Sequence, residues 1–475
     1  MKSRLWIWVL GCCAAWASAG ELTWELPPMA TWTEDPSTTV TLTWERKAPE
    51  GMRVAVAPVI EGAAAAFSEE RGASRRHVQT FRGLKPNTRY AYAIRGENGY
   101  EAEGRFWTAP ADGHTPFRFI LQNDLQGGLR EEAAQAVSAA VIQANPDFVL
   151  STGDLGDSRY AHEYADVIHS WKQFFTLLEK ELSLFVFQPV AGNHDEPENP
   201  DSFWHRLFEL PGDGRNYTLD VGPIRFIGVD SSEFEVPAQV PWLARELQRA
   251  AFDPEVTWVI PAFHRPPFSE GARGGQDIVR DWWVPLFTKY EADLVLSGHA
   301  HTYQRTKPID GVNYLVSGGA GGYLYAVDPT HPTMAFATSV NHFVQFHVDG
   351  GEIRLEATTP AAEVFDRAAY VAHRYVRVEP VFPVRGELCT IWYNPEGGPL
   401  EGVEEVWIHI GRDEFNNLLM DLPMQKDEVA GMWKATFKVP DSPRWNLAFC
   451  FFEPKRGIWH NNHKQNWQAL LQRDW

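Results

Sequence analysis

The sequence lacks the features that mark two large classes of protein. It has no apolar run of 18 residues after its N-terminus, which excludes a polytopic membrane protein. It also lacks positive charge: 43 Lys and Arg stand against 62 Asp and Glu, for a net charge of −19 over 475 residues. That balance argues against a protein that holds nucleic acid on a basic surface, so we expect no nucleic-acid partner. Disorder is excluded as well, because 44% of the residues are hydrophobic and can bury several cores.

The first 19 residues are predicted to be a secretory signal peptide. The basic residues Lys2 and Arg4 precede an apolar stretch at 5–16, and a small-residue cleavage pattern occupies 17–19. We expect secretion or export to the periplasm, with cleavage after Ala19 and no transmembrane segment in the mature chain. The alternative is a lipoprotein anchored at Cys12, which the short apolar run before it fits less well.

Cysteine is scarce, with four in the whole chain. Two of them lie in the predicted signal peptide, so only Cys389 and Cys450 remain. In an oxidising compartment these two residues could form a disulfide. Both lie in apolar, strand-like runs, so two buried free thiols are the alternative.

Hydrophobic periodicity divides the rest of the chain into three regions. Residues 20–111 consist of short strands with turn signals between them, which predicts a β-sandwich. Residues 115–368 alternate apolar strands with helix-period segments, which predicts a layered α/β domain. Residues 372–475 return to short strands with Pro and Gly between them, which predicts a second β-sandwich. The expected fold class is therefore a multidomain chain with a central α/β domain between two sandwiches.

The central region contains predicted strands that are followed directly by polar clusters. Helices are predicted at Glu131–Ala144 and Tyr164–Leu178. Strands are predicted at Phe117–Leu121, Phe148–Ser151, Leu184–Val190, Ile224–Val229, Thr257–Ala262 and Leu294–Leu296. The polar clusters are Asn123–Gln126, Gly153–Asp157, Gly192–Asp195, His264–Pro267 and Gly298–His301. Layered α/β folds place their functional sites at such strand ends.

These clusters offer carboxylate, amide and imidazole groups and no thiolate. Such a set suits Mn, Fe or Zn better than a structural thiolate-zinc site. It also exceeds the needs of one ion and is sufficient for two ions bridged by a carboxylate. Two ions in that arrangement can bind a phosphate and generate hydroxide near neutral pH. A single Gly-Asp turn or His-Pro pair would be structural, but the five clusters together predict a two-metal site.

The clusters resemble those of the calcineurin-like metallophosphoesterases, and in particular the purple acid phosphatase branch. The most specific stretch is Ser297–Thr306, and Gly192–Asp195, Gln239–Leu243 before a helix and Gly318–Gly321 after a strand also fit. The branch often carries a fibronectin-like domain that ends in Thr-x-Pro, as at 108–110, so the resemblance covers residues 20–368. It implies a fibronectin type III-like sandwich followed by a two-sheet catalytic domain with flanking helices.

The resemblance also implies a role for each motif residue. The implied metal ligands are Asp124 and His301 for the first ion, Asp154 for both ions, and Asn193, His264 and His299 for the second ion. The cofactor would be two divalent or mixed-valence ions of Fe, Mn or Zn. Asp154 would also be catalytic as the bridging carboxylate, and His194 would contact the substrate phosphate and help to protonate the leaving group.

Two positions depart from the family pattern. Purple members have a Tyr three residues after the bridging Asp, whereas this chain has Asp157, and Gln126 stands where related enzymes have His or Gly. A tyrosinate–iron(III) centre is therefore not expected. Gln126 and Asp157 are candidate ligands, or neighbours of ligands, in an altered first site. The alternative for Asp157 is a surface turn.

The C-terminal region resembles family 25 carbohydrate-binding modules, which bind starch-like α-glucans. Residues 457–467 resemble their Trp-x-Asn-Asn…Asn-aromatic signature, and 408–411 resemble a His-x-Gly motif, although His460 stands where an acidic residue is usual. The implied sugar contacts are Trp459, Asn461, Asn462, His409 and Trp467. An aromatic face would stack on a pyranose while Asn and His bond its hydroxyls. The alternative is a plain sandwich whose tryptophans are core residues.

Together these features predict a secreted two-metal phosphohydrolase that cleaves phosphate monoesters by attack of a metal-activated hydroxide. Its C-terminal region would direct it to an α-glucan. A small-molecule or cyclic phosphodiesterase on the same two-metal centre is an alternative. A non-catalytic carbohydrate-binding protein is a further alternative, which is less favoured because none of the five clusters has lost its main ligand.

Overall fold

The structure is a computed structural model that describes residues 24–60, 66–67, 73–96, 99–126, 130–158, 163–195, 203–231, 236–412, 415, 417–442 and 446–472. The predicted signal peptide, with Cys12 and its cleavage site after Ala19, lies outside the described residues. In the part of the chain that is described, no helix combines the length and the apolar character needed to cross a membrane.

The helices and strands follow the chain in three groups. The helices are α1 Glu131–Ala144, α2 Tyr164–Leu184, α3 Trp204–Leu207, α4 Val236–Ala251 and α5 Asp277–Lys289. The strands before α1 are β1 Trp24–Thr31, β2 Val40–Glu50, β3 Arg53–Pro58, β4 Ala66–Phe67, β5 Ser74–Phe81, β6 Arg89–Gly96, β7 Gly99–Trp107 and β8 Phe117–Leu121. The central strands are β9 Phe148–Ser151, β10 Val186–Pro189, β11 Tyr217–Val221, β12 Ile224–Gly228, β13 Trp258–Ala262, β14 Leu294–Ser297, β15 Tyr303–Thr306, β16 Asn313–Ser317, β17 Met334–Thr338, β18 Phe343–Asp349, β19 Glu352–Thr358 and β20 Val364–Val371. The C-terminal strands are β21 Val376–Glu379, β22 Leu388–Tyr393, β23 Trp407–Arg412, β24 Asn417–Pro423, β25 Gln425–Asp427, β26 Met432–Lys438, β27 Asn446–Glu453, β28 Ile458–His460 and β29 Trp467–Leu470.

Two large sheets form the centre of the molecule and confirm the predicted α/β arrangement. One has nine strands in the order β20-β19-β18-β8-β9-β10-β1-β2-β5, and the other has seven in the order β11-β12-β13-β14-β16-β15-β17. Strands β8, β9 and β10 are parallel, as are β12, β13, β14 and β16. Helices α1, α2, α4 and α5 connect parallel neighbours, as parallel strands require. The sheets face each other across an aromatic core in which Phe119 meets Phe226 edge to face, with 5.4 Å between ring centroids.

Most predicted elements of this region occur where expected, but two boundaries differ. The predicted strand at Leu184–Val190 starts too early, because α2 continues to Leu184. The buried residues Phe174, Leu178 and Leu182 are four positions apart, so one helical face continues past the predicted end. Gln239–Leu243 was expected before a helix, whereas it lies within α4.

The N-terminal region is a sandwich, and one of its two sheets is part of the nine-stranded sheet. Strands β4-β3-β6-β7 form the separate sheet, while β1, β2 and β5 extend the central one. The connection is the parallel pairing of β1 with β10. The amide group of Gln188 closes this junction, because its Oε1 accepts from Trp32 N–H at 3.1 Å and its Nε2 donates to Trp32 O at 3.3 Å. The described residues between 24 and 111 are therefore joined to the central region by a shared sheet and a shared core.

The C-terminal region is a second sandwich, as predicted. Its sheets are β21-β22-β26-β25 and β24-β23-β27-β28, with β29 paired to β27. Cys389 and Cys450 are both buried and free, which agrees with the thiol alternative rather than a disulfide. Burial raises the pKa of each thiol to about 12, so both are neutral and unreactive at neutral pH.

This sandwich packs directly on helices α4 and α5. One hydrophobic core contains Leu247 and Phe287 from these helices together with Phe449 from β27. The side chain of Gln248 fixes the contact, because its Nε2 donates to Val381 O at 2.8 Å and its Oε1 accepts from Leu470 N–H at 2.5 Å. The C-terminal region is therefore docked on the central region and is not a freely tethered module.

Two of the predicted sugar contacts belong to this interface. Trp467 is only 1% exposed and donates its indole N–H to Glu291 Oε1 at 2.7 Å. Asn462 is buried, and its Nδ2 donates to Thr288 O at 2.9 Å. Both side chains are oriented toward α5 and the residues after it, so the prediction that they contact a sugar is wrong.

We expect Trp467→Ala to destabilise the protein by about 3–5 kcal/mol, since it leaves a large cavity and an unpaired buried acceptor. Urea denaturation followed by circular dichroism measures this change. The matched control is Trp282→Ala on α5, where the indole is 49% exposed and a change below about 1 kcal/mol is expected. Equal effects of the two substitutions would contradict the assignment of Trp467 to the interface.

Candidate metal centre

The five polar clusters meet where the two large sheets present their carboxyl ends. Asp124, Asp154 and Asn193 follow the parallel strands β8, β9 and β10 of the nine-stranded sheet. His264 follows β13 and His299 follows β14 in the seven-stranded sheet. Because each strand ends at the same edge, short connections bring ligands from distant parts of the chain together.

The backbone at this edge is held in an unusual conformation. Four residues of the clusters that are not glycine have positive φ: Asp124 (61°), Gln126 (47°), Asp154 (56°) and His299 (67°). The left-handed region is unfavourable for residues with a Cβ, and such residues concentrate at functional sites where the surrounding structure imposes them. The two loops that carry Asp154 and Asn193 also touch, because a Cβ on Gly192 would lie 2.3 Å from Asp154 N.

Five of the predicted site residues form two groups that could each hold a metal ion. Potential ligand atoms lie within 4.8 Å of one another in each of two groups, Asp124–Asp154–His301 and Asp154–His264–His299. Asp154 belongs to both groups, as the bridging role requires. Its Oδ2 lies 3.1 Å from His264 Nε2, and His264 Nε2 lies 3.2 Å from His299 Nδ1.

Backbone carbonyls orient two of these histidines as metal ligands. His264 Nδ1 lies 2.9 Å from Thr152 O, and His301 Nδ1 lies 2.6 Å from Tyr323 O. Since a carbonyl only accepts, each Nδ1 carries the proton and donates it to the carbonyl. Each Nε2 then carries a lone pair that faces a carboxylate oxygen of its group. A cation between the nitrogen and the oxygen would make this contact favourable.

Asn193 completes the second group. Its Oδ1 is buried and accepts no hydrogen bond from any of the described residues. A buried carbonyl oxygen without a donor is unfavourable unless another partner binds it. The amide oxygen fits the role of a metal ligand that adds no charge, so the residues present agree with a two-ion cofactor.

Burial shapes the protonation of these groups. Burial together with the charge of Asp154 raises the pKa of Asp124. Burial acts in the same sense on Asp154, but its contacts with the side chain of His264 and with His194, including the His194 backbone N–H, outweigh it and lower the pKa of Asp154. Burial is also the main cause that lowers the pKa of His299 to about 2, and the neighbouring side chains of His264, Arg265 and Arg273 act in the same direction. Neutral imidazole is the form that binds a metal ion.

The two departures from the family pattern both lie at the site. Gln126 is buried within the first group, and its Nε2 is 3.0 Å from His301 Nε2 and 3.5 Å from Asp154 Oδ2. Asp157 Oδ1 lies 3.4 Å from His194 Nδ1, so Asp157 contacts the predicted proton donor and is not merely a surface turn residue. The backbone N–H of His194 donates to Asp154 Oδ1 at 2.8 Å, which fixes this histidine beside the bridging carboxylate.

Asp195 organises the loops of the centre, a role that was not predicted from the sequence. Its buried carboxylate accepts backbone N–H bonds from Asp154, Leu155, Gly156 and Gly192, at 2.7 to 3.0 Å. An acidic residue directly after the Asn-His pair is the only signal the sequence offers, and it does not distinguish a buried organiser from a surface turn.

Three of the predicted sugar contacts line a second site on the C-terminal sandwich. An open pocket of about 360 Å³ is lined by His409, Phe415, Leu418, Cys450, Trp459, Asn461 and Asn466. Trp459 is 45% exposed and stacks on Phe452 with 4.6 Å between ring centroids. One face of the indole is therefore supported by the sheet, which leaves an aromatic surface at the pocket.

Comparisons with known proteins agree with the geometry. Residues 117–303 match the family described as calcineurin-like phosphoesterase. An uncharacterized protein of Mycobacterium tuberculosis is 27% identical over 269 residues, which cover 48% of this chain and 50% of that protein. Human acid phosphatase type 7 is 28% identical over 268 residues, which cover 51% of this chain and 59% of that protein. A solved purple acid phosphatase, PPD1 from yellow lupin seeds, shares the fold, with a TM-score of 0.62 and 20% identity over 73% of this chain and 74% of that one.

Residues 117–303 thus resemble the calcineurin-like phosphoesterases, and the similar proteins include acid phosphatases and a solved purple acid phosphatase with the same fold. The matched part of the chain spans 50% of the mycobacterial protein and 59% of the human one. A dinuclear metal centre is typical of this family, and the two ligand groups at Asp154 agree with it. The fibronectin-like and carbohydrate-binding resemblances of the flanking regions stay predictions.

We expect the purified protein to contain about two metal ions per chain, and His301→Ala to retain about one, because the group around His264 and His299 keeps its ligands. Inductively coupled plasma mass spectrometry after gel filtration measures the ratio. The control is His114→Ala, which removes an exposed histidine on the connection before β8 and should leave the metal content unchanged. Two retained ions in His301→Ala would contradict the assignment of His301 to the first group.

Proposed function

We propose that this chain, whose central domain is of the calcineurin-like metallophosphoesterase type, is a two-metal phosphohydrolase that cleaves phosphate monoesters. The observation that carries the proposal is the pair of ligand groups sharing the Asp154 carboxylate at the junction of the sheets. Two ions held there would bind the phosphate, lower the pKa of a water molecule and stabilise charge on the transferring group.

The residues of the chain supply the remaining requirements. Asp154 and Asp124 provide negative charge that holds the cations, and His264 and His301 are held by backbone carbonyls in the orientation that a ligand needs. His194 lies beside the bridging carboxylate with Asp157 next to its Nδ1. These contacts place the His194 imidazole where it could pass a proton to a leaving oxygen.

Small or cyclic phosphodiesters form a second class of candidate substrate. The observation that favours them is Gln126, whose neutral amide lies among the first ligand group in place of the family's His or Gly. The ratio of kcat/KM for 4-nitrophenyl phosphate to that for bis(4-nitrophenyl) phosphate separates the two classes. A ratio well above one supports the monoesterase, and a ratio below one supports the diesterase.

Asp154→Asn should reduce kcat on the preferred aryl phosphate by at least ~100-fold, since the bridging geometry and the activation of the nucleophile both depend on this carboxylate. Steady-state kinetics with metal content measured on the same samples tests this. His114→Ala should keep the wild-type rate. Near wild-type turnover by Asp154→Asn with both ions still bound would contradict the proposed mechanism.

We also propose that the protein is exported and that the Trp459 pocket binds an α-glucan. Export is supported by the basic and apolar pattern of residues 1–19. Glucan binding is supported by the exposed indole of Trp459, with His409 and Asn461 on the same pocket. Aromatic faces bordered by polar groups suit the alternating apolar faces and hydroxyl rims of pyranose rings.

Affinity electrophoresis of the full chain in gels containing soluble starch or glycogen tests the glucan proposal. Wild-type protein should be retarded, with a dissociation constant between millimolar and micromolar, and Trp459→Ala should lose most of the retardation because the stacking surface is removed. The matched control is Trp282→Ala, which removes an exposed indole on α5, away from the pocket. Retardation that persists in Trp459→Ala would show that this pocket is not the glucan site.

A further inference from the structure

Two loops at the rim of the metal centre brace each other. Gly271 forms an isolated antiparallel bridge with Val327, and Ala272 N–H donates to Ala326 O at 3.3 Å. The buried side chain of Gln304 ties the first loop to β15, because its Oε1 accepts from Glu270 N–H at 2.7 Å. The two loops are thus held in place relative to the centre.

The second loop is fixed to a predicted metal ligand. Tyr325 N–H donates to His301 O at 3.1 Å, and Tyr323 O accepts from His301 Nδ1. The Tyr325 ring also stacks on the His301 imidazole, with 4.4 Å between centroids and 9° between planes. Tyr325 therefore covers one face of His301 and presents its other face away from the ion site.

Arg273 on the first loop is anchored by this ring. Its guanidinium lies 5.4 Å from the Tyr325 centroid, and its Nη2 donates to the Tyr325 hydroxyl at 3.4 Å. Arg273 is exposed and forms no ion pair within 4 Å among the described residues. Nearby arginines differ in this respect, since Arg280 pairs with Asp277 and Arg305 pairs with Asp366.

An exposed arginine held at one position without a carboxylate partner is available to an anion from solution. Stacking on an aromatic ring restricts the guanidinium while its donors stay free, which reduces the entropy lost when an anion binds. The guanidinium is therefore a local positive charge at the rim of a protein whose net charge is −19.

We propose that Arg273 binds a second anionic group on the leaving portion of the substrate, so that the site prefers phosphate esters whose alcohol carries a carboxylate or a further phosphate. This inference rests on the proposed phosphohydrolase function. Among the described residues the guanidinium bonds the Tyr325 hydroxyl and none of the candidate metal ligands, so we assign it to the far end of the ester and not to the phosphate at the ions. The guanidinium lies no farther from the His301 ring than the sum of two distances, from the guanidinium to the Tyr325 ring and from the Tyr325 ring to the His301 ring. The alcohol portion of a small phosphate ester can span that separation.

A pair of matched substrates tests the preference. They are 3-carboxyphenyl phosphate and its neutral, nearly isosteric amide, 3-carbamoylphenyl phosphate. Arg273→Gln should lower kcat/KM for the carboxylate ester by about fivefold or more, mostly through KM, since a charge-assisted hydrogen bond is lost, and should change the value for the amide ester by less than about twofold. Arg273→Lys should recover part of the loss. Added salt should weaken the wild-type preference and leave Arg273→Gln unaffected.

The control is Arg354→Gln, which removes an exposed arginine paired with Glu352 on β19 and should alter neither substrate. An equal fall for both esters in Arg273→Gln, or no fall for either, would overturn the inference. Titration calorimetry with the corresponding benzylphosphonates measures binding without turnover. Tighter binding of the carboxylate analogue by wild type than by Arg273→Gln supports the inference even if neither ester is hydrolysed, a result that would refute the proposed function alone.

Discussion

The carboxylate of Asp195 holds together the two loops on which the metal centre depends. It accepts backbone N–H bonds from Gly192 on one loop and from Asp154 and its two successors on the other. This arrangement needs backbones in contact, and a Cβ on Gly192 would leave no room for Asp154. The loops therefore close with Asp154 buried and directed at His264. A buried carboxylate that cannot turn toward water is unfavourable alone and becomes favourable when cations bind it.

Local sequence predicted the candidate ligands because each of them follows an apolar strand within a few residues. Asp124, Asp154 and His264 lie at strand ends, and the alternation of apolar strands with amphipathic helices is enough to predict where those strands end. The groups that orient the candidate ligands cannot be predicted from the sequence in this way, because they are backbone carbonyls such as Thr152 O and Tyr323 O. Their identity depends on which loops meet, and strand order across two sheets is not a local property.

The same limit applies to the N-terminal region. Its strands alternate as a sandwich should, and the sandwich is present, but nothing in the pattern of β1 indicates that it pairs with β10. In the sequence, Gln188 is a single polar residue in an apolar run. In the structure it closes the junction, because its side chain forms hydrogen bonds with both the N–H and the C=O of Trp32. Alternation predicts which face of a strand is buried, whereas the partner is chosen by packing between residues distant in the chain.

Tryptophan in the C-terminal region shows how identical residues take opposite roles. Trp459 and Trp467 flank one short loop, yet the first is 45% exposed and the second 1%. Trp467 lies in β29, and its indole N–H donates to Glu291, which follows α5. Trp459 instead stacks on Phe452 of β27. Two of the predicted sugar contacts, Trp467 and Asn462, instead dock the sandwich on the central region. The pocket at Trp459 therefore keeps a constant orientation relative to the metal centre, which a flexible linker would not provide.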